Sequence, residues 1–205
     1  MTSPRDASPI ASNRPRLVLA SESPRRLALL AQAGLVPDAV RAASIDETIH
    51  REELPRPYGL RLAQAKAQAA AAAWDGGPAL FLAADTVVAV GRRVLPKAET
   101  DDQVRDCLTL LSGRAHRVTT AVALRTAEGK IRIRSVETRL IFCRLDRAQI
   151  EAYVRCGEGL GKAGGYAVQG RAEIFVRRMS GSYSNVVGLP LHETISLLRG
   201  SGYPC

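Results

Sequence analysis

A nearly continuous apolar run occupies residues 80–90, and one charged residue, Asp85, interrupts it. Such a run is typical of a buried strand. A carboxylate inside a buried strand costs free energy unless it is paired, binds a metal ion or faces a cleft. Asp85 is therefore the strongest candidate for a general base or a Mg²⁺ ligand. The alternative is an aspartate whose oxygens accept backbone N–H groups at the end of a strand.

A second informative segment lies near the start of the chain, where an apolar run at residues 16–20 leads through Ser21 and Ser23 into a helix. Ser23 is suited to the N-cap position and the following proline to the first helical position. Unpaired N–H groups at a helix N-terminus attract anions, and the forked donors of Arg25 and Arg26 suit phosphate oxygens. The segment predicts a phosphate site; a capped surface helix with two solvated arginines is the competing interpretation.

Composition places the chain among ordinary globular proteins. It has 205 residues, 46% of them hydrophobic and 24% charged, which suits one domain over residues 16–200 with a sizeable core. Residues 1–15 predict a disordered basic tail without the apolar segment of a secretion signal. No run of about 18 apolar residues predicts a membrane helix. The four cysteines lack metal-site or redox spacing, which indicates a reduced, cytoplasmic protein.

The net charge of +9 favours anionic partners such as nucleotides or nucleic acid. Aromatic residues make up only 4% of the chain, which argues against stacking along a nucleic-acid strand. We therefore expect no stable nucleic-acid partner, although a nucleic-acid-binding or septum-regulating protein remains the alternative from outside enzymology.

The pattern of predicted elements favours an α/β or α+β domain with a mixed sheet. Strands are predicted at residues 16–20, 36–43, 80–90, 118–124, 130–144 and 174–177, with a hairpin into residues 94–95. Helices are predicted at residues 24–33, 58–74, 100–111, 146–157 and 191–198. Two of these helices begin with capping boxes, Thr100 with Gln103 and Asp146 with Gln149.

Several other residues gain interest if they share a cleft with Asp85 and the arginine pair. Lys66 lies within a predicted helix and Lys97 follows a predicted hairpin, and each by itself is more often a solvated lysine. An acidic segment at residues 44–48 contains Glu47, which is either a metal ligand or part of a polar loop. The glycine-dense segment 161–170 allows close backbone approach to a ligand, and the amide of Gln169 can read a base edge.

Five motifs in order make the chain resemble the Maf family of nucleoside triphosphate pyrophosphatases over most of its length. They are LASESPRR (19–26), ADTVV (84–88), LSG (111–113), GKAGGYAVQG (161–170) and GSYSNVVGLPL (181–191). The resemblance implies an elongated α/β fold with a mixed twisted sheet, flanking helices and a central cleft, similar to inosine triphosphate pyrophosphatases. It also implies hydrolysis of a nucleoside triphosphate between its α- and β-phosphates, a divalent cation (Mg²⁺ or Mn²⁺), and an assembly that is often a homodimer.

The resemblance also implies site roles. Asp85 matches the family's proton acceptor and Glu47 an acidic position near the metal ion. The substrate-binding positions implied are Ser21, Ser23, Arg25, Arg26, Lys66, Thr86, Lys97 and Gln169. Two departures from the family pattern stand near them, Ala98 in place of a usual proline and Gly161 in place of a frequent acid.

The family divides by base preference. Thr86 directly after Asp85 and Gln169 before Gly170 resemble the branch that prefers dTTP and UTP. The expected reaction is therefore nucleotide-pool housecleaning on these two triphosphates. The alternative is a branch that acts on 7-methyl-GTP or another modified nucleotide.

Overall fold

A computed structural model describes residues 14–205 of the chain. The strands are β1 (Arg16–Leu19), β2 (Ala39–Val40), β3 (Ala79–Val90), β4 (Arg93–Leu95), β5 (Lys97–Ala98), β6 (Ala115–Arg125), β7 (Ile131–Phe142), β8 (Lys162–Ala163) and β9 (Val176–Ser180). The α-helices are α1 (Pro24–Gln32), α2 (Pro55–Ala72), α3 (Asp101–Leu111), α4 (Arg147–Arg155), α5 (Tyr183–Val187) and α6 (Leu191–Arg199).

The main sheet has the order β2-β1-β3-β6-β7-β9, and β4 also pairs with β3. The pairs among β1, β2 and β3 are parallel, whereas β3, β6, β7 and β9 pair antiparallel. The mixed sheet with flanking helices confirms the predicted α/β fold class.

The two faces of the sheet are covered differently, because side chains along a strand alternate between the faces. One face packs against α2, whose buried alanines include Ala63 and Ala67 and allow close approach to Phe81 and Ala83 of β3. The opposite face holds the larger cluster, in which side chains such as Leu82 and Leu140 are fully buried. β3 is therefore buried on both faces, which explains its continuous apolar sequence.

One edge of β3 is left partly uncovered, and this gap positions the functional site. β6 runs along the other edge over residues 81–89. On the uncovered edge, β1 pairs with residues 79–82 and β4 with residues 88–90. No strand pairs with residues 83–87 on that edge in the described part of the chain. Asp85 and Thr86 lie in this gap and point to opposite faces of the sheet.

Local sequence signals explain several helix boundaries. The predicted capping box at Asp146 is present, with Asp146 and Gln149 each bonding the other's backbone N–H. At the start of α3, the Thr100 hydroxyl accepts the N–H of Gln103 as predicted. The Gln103 amide, however, accepts the N–H of Glu99 instead of that of Thr100, so this second capping box is only half formed.

Two predicted elements differ from the structure, and one short helix has no counterpart in the prediction. The strand predicted at residues 36–43 is reduced to the two residues of β2. The strand predicted at residues 174–177 begins as a 3₁₀ helix (Arg171–Phe175), and strand pairing starts only at Val176. The short helix α5 was not predicted, because five residues are too few to show helical periodicity.

Most of the predicted basic tail, residues 1–13, lies outside the described residues. At the start of the described chain, Arg14 donates to both carboxylate oxygens of Asp38 and to the Tyr203 hydroxyl. Within residues 14–205, no helix combines the length and apolar character needed to cross a membrane.

Candidate active site

A cleft of about 880 Å³ opens at the gap on the edge of β3. β1 ends at this gap, and residues 83–87 of β3 form the floor of the cleft. The N-terminus of α1, the loop before α2 and the glycine-dense segment form its walls. All ten residues predicted from the sequence line this cleft, namely Ser21, Ser23, Arg25, Arg26, Glu47, Lys66, Asp85, Thr86, Lys97 and Gln169. The structure therefore brings together residues separated by up to about 150 positions in the sequence.

Asp85 is buried and pairs with a lysine rather than with backbone N–H groups. The Lys66 ammonium, projecting from α2, lies 2.6 Å from the Asp85 carboxylate and 2.8 Å from that of Glu47. Glu47 is half exposed, and the Tyr58 hydroxyl donates to its backbone carbonyl at 2.7 Å. The two carboxylates thus converge on one cation, which explains how β3 tolerates a buried charge.

Arg26 is fixed by three acceptors at the N-terminus of α1. Its guanidinium donates to the Ser21 hydroxyl at 2.8 Å, to the Gly188 carbonyl at 2.8 Å and to the Thr86 hydroxyl at 3.4 Å. Burial lowers the pKa of Arg26, and Asp85 opposes that shift. We call Arg26, Lys66, Asp85 and Glu47 the paired cluster, because each has a charged or strongly polar partner.

The two serines of the first motif have different surroundings. Ser21 is buried and its hydroxyl also accepts the N–H of Ser23 at 3.3 Å. Ser23 occupies the N-cap position of α1 as predicted, but its side chain makes no capping bond. Its hydroxyl and the N–H of Arg25 therefore remain available to an anion in the cleft, whereas the N–H groups of Arg26 and Leu27 donate to the Ser23 carbonyl.

Three further cations form what we call the unpaired cluster: Arg25, Lys97 and Lys162. None of them forms an ion pair with a residue in 14–205, and the name refers to that; the Lys162 ammonium does donate to the Leu160 carbonyl at 2.9 Å. Lys97 and Lys162 lie on the paired strands β5 and β8, and both line the cleft. Burial lowers the pKa of Lys162, the charges of Arg25 and Lys97 lower it further, and the charge of Glu158, which is not within ion-pair distance, opposes that shift. A cleft wall with three cations and no carboxylate partner is suited to an anionic ligand.

Two tyrosine hydroxyls anchor the glycine-dense segment, one from α4 (Tyr153) and one from the segment itself (Tyr166). The Tyr153 hydroxyl accepts the N–H of Ala167, and the Tyr166 hydroxyl bonds the imidazole of His116 at 2.8 Å. Gly165 has a φ of +69°, and a Cβ there would lie 3.2 Å from the backbone of Val104. Glycine is required at this position because the segment packs directly against α3.

A buried hydrogen-bond chain connects the last motif to the cleft. The Thr86 and Thr120 hydroxyls lie 2.9 Å apart, and Thr120 in turn donates to the carbonyl of Asn185 at 2.8 Å. Asn185 is fully buried, and its side-chain amide accepts the N–H of Thr120 and donates to the Val118 carbonyl.

Sequence reasoning singled out the last motif but gave its residues no role, and it also gave none to Lys162, Tyr58 or Thr120. The motif order pointed to Asn185, and the glycine segment contains Lys162. Tyr58 and Thr120 carry no sequence signal, because their importance arises only from contacts across the fold.

Comparison with known proteins agrees with this geometry. The profile of the family described as "Maf-like protein" matches residues 16–201. The chain belongs to the Maf family. A "dTTP/UTP pyrophosphatase" of Rhodopseudomonas palustris (strain HaA2) is 60% identical over 93% of this chain and 94% of its own length. A protein of the same name from Brucella abortus (strain 2308) is 57% identical over 92% and 93% of the two chains.

A solved structure shares this Maf fold at low sequence identity. The Staphylococcus aureus Ham1 protein matches with a TM-score of 0.52 and 14% identity, covering 91% of this chain and 99% of that chain. At this identity the likeness concerns the fold alone.

Proposed function

We propose that this Maf protein hydrolyses nucleoside triphosphates between the α- and β-phosphates, releasing a nucleoside monophosphate and pyrophosphate. dTTP and UTP are the preferred substrates, and the role is housecleaning of the nucleotide pool. The observation that carries the proposal is that a lysine-paired aspartate, Asp85, lines the same cleft as Arg26 and the three cations of the unpaired cluster. The relatives named dTTP/UTP pyrophosphatase, at about 60% identity, support the choice of substrate.

The charges in the cleft suit a polyphosphate. Attack at phosphorus requires neutralisation of the negative charge on the substrate and on the leaving pyrophosphate. The unpaired cluster and the free N–H of Arg25 at the start of α1 supply that neutralisation without first breaking ion pairs. Arg25 and Ser23 stand at the helix N-terminus, where the helix dipole adds to the attraction.

Asp85 is the residue we assign to accept a proton from the attacking water. It is buried, it faces the cleft, and Lys66 holds its carboxylate in place at 2.6 Å. A carboxylate in this position contributes typically about 10²–10⁴-fold to the rate. Lys66 also carries a positive charge that is available to a phosphate oxygen once a substrate enters.

The residues present fit a divalent cation. Asp85 and Glu47 converge on the position that the Lys66 ammonium takes in this structure, and their carboxylates are the oxygen ligands that Mg²⁺ and Mn²⁺ prefer, so a metal ion held by both would take the place of that ammonium. No group of three or more His, Cys, Asp or Glu side chains is arranged as a metal site within residues 14–205. Two protein carboxylates, with the remaining positions filled by phosphates and water, are typical of Mg²⁺ in phosphoryl-transfer sites. Such an ion would neutralise charge on the phosphates.

The experiment is a measurement of products with a panel of dTTP, UTP, CTP, 7-methyl-GTP and the standard purine triphosphates, with Mg²⁺ or Mn²⁺. We expect pyrophosphate and the monophosphate in equal amounts, fastest from dTTP and UTP, and no turnover in excess chelator. Release of inorganic phosphate and a diphosphate would contradict the assigned bond. Preference for 7-methyl-GTP would contradict the assigned substrates, and salt-dependent DNA binding without turnover would favour the non-enzymatic alternative.

Two broader features belong to the same proposal. The four cysteines are free, which suits the reducing cytoplasm where nucleotides are consumed. Self-association as a homodimer follows from the family resemblance and is tested by measuring the mass of the protein in solution.

A further inference from the structure

The Thr86 hydroxyl has two neighbours in the protein, the Arg26 guanidinium and the Thr120 hydroxyl. Arg26 can only donate a hydrogen bond to it, and Thr120 can only accept one from it, because Thr120 donates its own proton elsewhere. A guanidinium has no acceptor, so Arg26 donates to the Thr86 oxygen. On the other side, Thr120 has a single hydroxyl proton. The carbonyl of Asn185, 2.8 Å away, cannot donate, so that proton belongs to the Thr120–Asn185 bond.

The direction of the remaining bond follows from this accounting. Thr120 has already used its proton, so the 2.9 Å contact between the two hydroxyls is a bond in which Thr86 donates and Thr120 accepts. The reverse direction would leave two oxygens, those of Thr120 and the Asn185 carbonyl, in contact without a proton between them. A hydroxyl has one proton and two lone pairs. Thr86 therefore retains only a lone pair for a molecule in the cleft.

The chain is rigid because its far end is fixed by several bonds. The Asn185 amide accepts the N–H of Thr120 at 3.0 Å, and it donates to the Val118 carbonyl and to the Thr138 hydroxyl. The backbone partners fix which end of the amide is oxygen. Buried networks with every member satisfied are costly to rearrange, so the Thr86 proton does not turn toward the cleft.

We propose that Thr86 acts as an acceptor only, and that Thr120 and Asn185 are positioning residues that select nucleotides offering a hydrogen-bond donor there. This inference rests on the proposed function. Uracil and thymine carry an N–H at ring position 3, whereas cytosine carries a lone pair on the same atom. A fixed acceptor thus favours UTP and dTTP and opposes CTP, because two lone pairs would face each other without a proton.

The test compares Thr120→Val with Thr119→Val. Valine at position 120 removes the acceptor of the Thr86 proton, which becomes free to turn toward the cleft and meet the cytosine lone pair. We expect the ratio of kcat/KM for UTP to that for CTP to fall about ten-fold, the effect of relieving one unsatisfied buried group. Thr119, also buried on β6, points to the opposite face of the sheet, so its valine variant keeps the wild-type ratio. Thr120→Ser retains the hydroxyl and should therefore also keep the wild-type ratio of kcat/KM for UTP to that for CTP.

A second measurement needs no variant. The wild-type protein is assayed with UTP methylated at ring nitrogen 3, which lacks the donor, and we expect it to be as poor a substrate as CTP. An unchanged UTP-to-CTP ratio in folded Thr120→Val, or normal turnover of the methylated nucleotide, would overturn the inference while leaving the proposed function intact. If wild-type protein hydrolyses neither UTP nor dTTP, the proposed function itself has failed, and this inference with it.

Discussion

The paired and unpaired clusters lie in the same cleft but treat positive charge in opposite ways. In the paired cluster, Lys66 is held between two carboxylates and Arg26 between three acceptors. In the unpaired cluster, Arg25, Lys97 and Lys162 line the cleft without an ion-pair partner among residues 14–205. The charges of the paired cluster are balanced by partners within the free protein, whereas those of the unpaired cluster are balanced only when an anionic ligand binds.

This difference suits the two clusters to different roles, one in the chemical step and the other in substrate binding. Preorganised groups cost no rearrangement when charge develops in a reaction, so the paired cluster is suited to the chemical step. Like charges held together destabilise the free protein and are relieved by an anion, so the unpaired cluster is suited to binding the phosphates. Substitutions in the two regions should therefore affect rate, affinity and stability in different proportions.

The largest expected effect follows from Asp85→Asn. The amide is nearly the same size but cannot accept a proton from water, so kcat should fall by about 10²–10⁴. KM should change little at saturating Mg²⁺, since the unpaired cluster is untouched, whereas the Mg²⁺ concentration needed for activity should rise because Asp85 is also a proposed metal ligand. Steady-state pyrophosphate release measures both constants, and thermal unfolding verifies that the variant is folded. Near-normal turnover by folded protein would remove Asp85 from the chemical step.

Lys66→Met should have the largest effect on stability. The substitution leaves the buried Asp85 carboxylate without its cation, which costs about 3–5 kcal/mol in comparable buried pairs. Urea unfolding measures the loss. Mn²⁺ should restore part of it, because a cation that binds only the folded state stabilises it. Mn²⁺ affinity without nucleotide, measured by electron paramagnetic resonance, should exceed that of the wild type; equal affinity would show that Lys66 and the metal ion do not share a position.

The stability of the protein should depend on pH through His116, whose imidazole bonds the Tyr166 hydroxyl of the glycine-dense segment. Burial lowers the pKa of His116 to about 4 from an ordinary value of 6.5. As pH falls, His116 is therefore protonated in the unfolded chain before it is protonated in the folded protein. The free energy of unfolding decreases as pH falls from about 6.5 toward 4. The free energy of unfolding should drop by about 2 kcal/mol between pH 7.5 and pH 5 on account of this residue.

The comparison that isolates this effect uses His116→Gln, which cannot titrate. Urea unfolding at both pH values gives the drop for each protein, and the other titrating groups contribute equally to both. We expect a smaller drop in the variant by about that 2 kcal/mol. Equal drops would mean that His116 is already protonated, or remains neutral, in both the folded and the unfolded chain.

The paired and unpaired clusters also differ in how far the sequence could predict them. Asp85 could be recognised alone, because a carboxylate inside an apolar run demands an explanation. Arg25 and Arg26 could be recognised by their place at the start of a helix. Lys66 and Lys97 gained interest only on the condition that they share a cleft with Asp85 and the arginine pair, and their phosphate-binding role came from the family resemblance, since a single lysine in a helix or after a hairpin carries no signal of its own.

The remaining features depend on tertiary contacts that no local pattern contains. The gap on the edge of β3 exists because β1 ends and β4 begins at different residues along one strand. The Thr86–Thr120–Asn185 chain joins three elements, and its directions follow from distances. The secondary structure was predicted well where runs were long, as for β3 and α2, and poorly at β2 and α5, which are too short to show a period.

The smallest expected effect, Lys162→Met, provides the sharpest contrast with Lys66→Met, because the same substitution should have the opposite effect on stability. Removing one of three neighbouring cations relieves repulsion, so the free energy of unfolding without ligand should rise by about 0.5–1 kcal/mol. That corresponds to an increase in Tm of about 1–4 °C for a chain of this size. The kcat/KM for UTP should nevertheless fall, mainly through KM, and become less sensitive to salt. A variant that lost stability would show that the bond from Lys162 to the Leu160 carbonyl outweighs the repulsion among the three cations, and the division of the cleft into paired and unpaired clusters would then be wrong.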